Sequence, residues 1–117
     1  MKADAFHAFA LSLLGATFDV KWGADRIYSV GAKMFAAAGG VGDDEPRYAF
    51  KASDMAFELL VEQGLARPAP YSARFKWVQL LAHDSLRDDE LKAYIVQAHR
   101  LVAAALPKKL RASLGLG

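Results

Sequence analysis

The chain has 117 residues and no cysteine, which excludes disulfides, thiolate metal sites and cysteine nucleophiles. A chain of this length hides roughly two-thirds of its unfolded surface on folding, enough for one domain over residues 1–117 without a metal or disulfide staple. Its 15 Lys and Arg against 13 Asp and Glu leave a net charge of +2, a field too weak to steer a charged partner, so any nucleic-acid role rests on where the charges sit.

Met1–Leu14 contains Asp4 and His7 among apolar residues and lacks the basic start and continuous apolar core of a signal segment. It reads as a helix of the domain. Phe6, Phe9, Ala10, Leu13 and Leu14 form one stripe, Asp4 caps the start and Gly15 ends the helix in a left-handed conformation. Thr17–Trp22 alternates Phe18, Val20 and Trp22 with Asp19 and Lys21, the pattern of a half-buried strand. Ile27–Val30 and Lys33–Ala38 are strands joined by a turn at Gly31-Ala32. After a loop over Gly39–Pro46, Arg47–Lys51 is a further strand, with Tyr48 and Phe50 on one face and Arg47, Ala49 and Lys51 on the other.

Ser53 and Asp54 open a second helix whose stripe is Ala56, Phe57, Leu60 and Val61, stopped by Gly64. Pro68 and Pro70 prevent its continuation, and Phe75–Leu81 returns as a strand. The longest helix starts at Asp88 or Asp89 and carries Leu91, Ile95, Ala98, Val102 and Ala105 on one face, with His99 beside that stripe. Pro107 breaks it, and Lys108, Lys109 and Arg111 lie in a short basic tail. The expected fold is α+β in two layers: an antiparallel sheet with three helices, in the order α-β(3-4)-α-β(1-2)-α. No uncharged stretch approaches the roughly 18 residues that span a bilayer, so the expectation is a cytoplasmic protein with no membrane partner.

No catalytic motif stands out. Gly39-Gly40-Val41-Gly42 invites a phosphate-loop reading, but Asp43, Asp44 and Glu45 follow where a Lys-Ser/Thr pair belongs, and they repel phosphate. His7, His83 and His99 are scattered with no metal-ligand spacing. Asp88, Asp89 and Glu90 suit a helix N-terminus better than acid–base chemistry. No enzyme, metal or cofactor is expected.

A basic and aromatic constellation remains. The stretch from Arg67 to Lys76 holds three bases and no acid. Strand alternation puts Arg74 and Lys76 on one face, opposite Phe75 and Trp77, and puts Arg47 with Lys51. With the helices on the Trp/Phe face, Trp77 holds the sheet to the helices. Lys33, Arg47, Lys51, Arg74 and Lys76 are then left to meet phosphates, with Tyr71 placed to stack on a base. Charge on the wet face of an ordinary soluble sheet is the plainer account.

The order of these pieces resembles the MmcQ/YjbR family of small bacterial proteins. The match lies in Trp22-Gly23, Val30-Gly31-Ala32-Lys33-Met34-Phe35, Phe50-Lys51 before Ser53-Asp54, Pro70-Tyr71, Lys76-Trp77-Val78 and the Leu106-Pro107-Lys108-Lys109 ending. The acidic Gly39–Glu45 loop departs from it. The resemblance implies a fold similar to secretion chaperones and the CyaY-like class, and non-catalytic DNA binding through a basic sheet face. The alternative it leaves open is a chaperone-like module holding a partner protein segment, as a monomer or homodimer.

Overall fold

The computed structural model describes residues 1–21, 25–40, 45–70 and 73–116. Helix α1 (Ala3–Ser12) leads into strands β1 (Ala16–Lys21), β2 (Asp25–Val30), β3 (Lys33–Gly39) and β4 (Arg47–Lys51). Helix α2 (Asp54–Glu62), strand β5 (Ala66–Pro68), a single 3₁₀ turn (Ala73–Phe75) and strand β6 (Trp77–Leu80) follow. Helices α3 (Asp88–Ala104) and α4 (Lys108–Ser113) close the chain. The six strands form one antiparallel sheet in the order β1-β2-β3-β4-β6-β5. This is the expected two-layer α+β architecture, with two elements added: the basic tail is a fourth helix, and a 3₁₀ turn precedes β6. The short strand β5 at the far edge is the second of the one or two strands expected between the second and third helices.

The helices cover one face. Helix α3 crosses β2, β3 and β4, α2 lies on β5 and β6, and α1 lies on β1. Beneath them alternate strand residues supply the core: Tyr28 and Val30, Ala36 and Ala38, Tyr48 and Phe50, Val78 and Leu80 are all buried. Phe6 of α1 stacks on Tyr48 at 4.3 Å between ring centres and meets Tyr28 edge-on at 5.6 Å. Phe50 stacks on Tyr94 of α3 at 5.8 Å. Burial pushes the Tyr48 hydroxyl up to about 12, helped by Tyr28 and Asp88, and it donates to the Met1 carbonyl at 2.6 Å. Burial likewise raises Tyr28, against the opposing pull of Arg26.

The turns follow from local chemistry. Gly31 (φ +57°) and Ala32 (φ +65°) are both left-handed, the geometry a two-residue type I′ hairpin demands. Just beyond this turn, Ala36 faces Tyr28 while Met34 faces Ser29, so Phe35 is an extra residue, a bulge. Phe35 and Ala36 are both buried as a result. Phe35 meets His99 edge-on at 5.3 Å, and buried His99 donates from Nε2 to the Leu14 carbonyl at 2.7 Å. Ser53 caps α2 by accepting the Ala56 amide at 3.1 Å. Gly64 (φ +71°) ends it, with Gly64 N–H on Val61 O and Leu65 N–H on Leu60 O, a Schellman pair.

Several local expectations change. Lys2, not Asp4, occupies the N-cap position of α1; Asp4 lies in the first turn, 3.7 Å from Arg26. Helix α1 stops at Ser12, and Leu14 is exposed. Strand β1 pairs only with β2, so Phe18 and Val20 are exposed rather than half-buried. Ala105 is exposed, one step past the helical stripe. The readings on Trp22-Gly23, Val41–Asp44 and Tyr71 lie outside the described residues. No helix of the described residues is long and apolar enough to cross a membrane.

Candidate functional site

Strand β6 decides where the cations go. It begins at Trp77, because Phe75 belongs to the 3₁₀ turn and Lys76 is left-handed (φ +64°). Val78 faces Phe50 and is buried, so Val78 and Leu80 point to the helices while Trp77 and Gln79 point away. This reverses the expected parity: Trp77 does not share the helix-covered face with Val78 and Leu80. Arg74 and Lys76 share no strand face either. Arg74 lies over the Phe75 ring, 4.7 Å from its centre, and Lys76 swings to the Phe57 ring of α2 at 5.0 Å.

The expected pair on β4 does share a face. Arg47, Ala49 and Lys51 alternate with buried Tyr48 and Phe50. They stand at opposite ends of the strand, however, with different surroundings. The Arg47 guanidinium is held above Gly39 and Gly40, where a Cβ on Gly40 would come within 2.8 Å of it. The Asp25 carboxylate converges on the same spot, 3.0 Å from a Cβ built on Gly39. Arg47 is therefore part of a tight local arrangement, at the opposite end of β4 from Lys51.

Lys51 faces Trp77 across the β4–β6 ladder and donates from Nζ to the Phe75 carbonyl at 3.0 Å. Here β3 begins, β4 ends and β6 begins, and the C-terminal turns of α3 close over the strand ends. Between them lies a cleft of about 350 Å³. Its lining includes Lys33, Lys51, Phe75, Trp77, Leu101 and Leu106 and, among the described residues, no carboxylate. Phe75 is 53% exposed although fully apolar. Of the expected site residues, the fold thus brings Lys33 and Lys51 into one cleft, with Arg74 beside it on the Phe75 ring. It sends Lys76 toward α2 and Arg47 to the far end of β4, and Tyr71 lies outside the described residues.

Phe75, Trp77 and the α3 residues were not legible as site residues. An Arg-Phe-Lys-Trp run reads equally well as a strand, and only the left-handed Lys76 separates Phe75 from it. Among the described residues no group of His, Asp or Glu is placed to hold a metal ion. The arrangement offers aromatic faces with ammonium groups beside them, which suits a flat, anionic ligand.

A family model described as YjbR matches residues 11–101. No curated protein matches the chain. Among solved structures, the crystal structure of Deinococcus radiodurans protein DR2400, with the family-model domain DUF419, superimposes with a TM-score of 0.87. The match covers 99% of this chain and 89% of that one at 18% sequence identity, a likeness of fold.

Proposed function

The chain belongs to the YjbR family, and from that premise we propose that it is a non-catalytic, single-stranded DNA-binding protein that takes a base into the cleft beside Trp77. One observation carries this reading: a cleft with no carboxylate among the described residues, in which exposed Phe75 and half-buried Trp77 stand beside Lys51, with Lys33 on the next strand beyond it. Base stacking on an aromatic ring is worth about 1–3 kcal/mol, and the neighbouring ammonium and guanidinium groups meet the flanking phosphates. A base inside a duplex keeps both faces covered by its neighbours, so a ring-floored cleft engages an unstacked strand.

The test uses Trp77 as its own reporter. In a Trp22→Phe background, titration with an oligothymidylate should quench Trp77 fluorescence. Lys33, Lys51 and Arg74 release about 0.7 counterion each, so log K should fall with log salt at a slope near roughly −2. Phe75→Ala should weaken binding by about 5- to 100-fold. No complex at low salt, or unchanged affinity in Phe75→Ala, rejects the reading.

The partner-protein alternative has one feature in its favour. Strand β1 is a free sheet edge with exposed Phe18 and Val20, a place where another strand can add. Against it, the Asp19 carboxylate already accepts the Val20 amide at 2.8 Å, and a charged, self-capped edge resists strand addition. A nuclease-resistant complex with one partner protein that is lost in Val20→Pro would favour the alternative.

A further inference from the structure

A second cleft, of about 270 Å³, is lined by Arg47, Arg67, Gln79 and His83, with Glu45 its one carboxylate among the described residues. It is not isolated from the first. Trp77 lines one cleft and Gln79 the other, and they are successive residues on the same face of β6. On β4, Lys51 and Arg47 stand in the two clefts with Ala49 between them on that face. Ala49 pairs with Ala37 on one side and Gln79 on the other, and Gln79 pairs with Arg67. The middle of this face is thus a shallow floor of small side chains with a donor-rich wall toward β5.

We infer that a bound single strand continues from the Trp77 cleft across Ala49 into this second cleft, where Arg67 and Gln79 hold one of its phosphates. The inference rests on the DNA-binding reading above and adds a path and a site size to it. Two features of the second cleft favour a phosphate. Arg67 is exposed on the edge strand and offers a planar fork of donors. Gln79, paired with Arg67 across the β5–β6 ladder, adds an amide on the same face. The four residue steps from Arg47 to Lys51 cover roughly 13 Å, about two steps of an extended nucleic-acid strand, so the smallest complete ligand has about three nucleotides.

Oligothymidylates of about two to eight nucleotides, titrated against the Trp22→Phe protein, test this. Affinity should climb to about three nucleotides and then level off. Arg67→Ala should weaken the longer ligands about tenfold and leave the dinucleotide within about twofold, whereas Phe75→Ala weakens every length. Gln79→Ala, at a second position in the same cleft, should repeat the length-selective loss. A dinucleotide that binds as well as the longer ligands overturns the path but leaves the base cleft standing. So does an Arg67→Ala loss equal at all lengths. Absence of binding at every length removes both.

Discussion

Gly31→Ala puts a methyl group where the fold has no room for one. At φ +57° an alanine pays roughly 1–2 kcal/mol for the left-handed backbone, partly offset by about 0.4–1 kcal/mol of unfolded-chain entropy. The new Cβ would also lie 2.6 Å from Leu106 Cδ1 and 2.9 Å from Cδ2. Leu106 is buried at the C-terminal end of α3, so it cannot swing into solvent without giving up its packing. Overpacking of this kind costs about 1–3 kcal/mol, for a total of roughly 2–4 kcal/mol. Gly64→Ala is the matched control: φ is +71°, but nothing lies within 4 Å of the added carbon, so only the backbone cost of about 1 kcal/mol is expected. Urea denaturation gives both values, and a cycle with Leu106→Ala separates the two terms. In that background Gly31→Ala should cost no more than Gly64→Ala does. An equal cost with and without Leu106 would refute the contact. Because Lys33 and Leu106 both line the Trp77 cleft, the same substitution should weaken oligonucleotide binding by more than its stability loss alone accounts for.

Three further outcomes are expected. The folded Tyr48 keeps its proton up to about pH 12, whereas the unfolded chain releases it near pH 10. Its contribution is therefore intact below about pH 10 and is lost between about pH 10 and 12 at roughly 1.4 kcal/mol per pH unit. In urea melts across that range Tyr48→Phe should flatten the fall, while costing about 1–2 kcal/mol at neutral pH through the lost bond to the Met1 carbonyl; an unaltered alkaline slope would contradict the assignment. Ser53→Ala should cost about 1 kcal/mol in thermal unfolding and Ser53→Asp much less, because the cap needs only a side-chain acceptor for the Ala56 amide. Phe50→Ala should cost about 3–5 kcal/mol in denaturant, since the ring is fully buried against Tyr94 in the middle of the sheet.

Much of the fold was legible from near-neighbour patterns. Alternation in Arg47–Lys51, the Gly31-Ala32 turn, the Ser53 cap and the Gly64 stop each depend on residues a few positions apart, and each forms as read. The family resemblance was legible for the same reason, in the order and spacing of those pieces. The rest depends on distant partners. Strand β5 is three residues long and ends in Pro68, so it carries no period of its own; pairing with β6 makes it a strand. Helix α4 exists as a packed element because Leu110, Leu114 and Leu116 find the core.

The candidate site shows the same division. Side-chain period fixes only that neighbours on a strand oppose each other; which of the two sets faces inward is settled by what the helices have room to cover. In β6 they cover Val78 and Leu80, and that choice turns Trp77 to the other face. The abundance of cations around Arg67–Lys76 was visible along the chain. The placing of Lys51 against Trp77 in an aromatic cleft and of Lys76 on the Phe57 ring came from partners about twenty or more residues away along the chain.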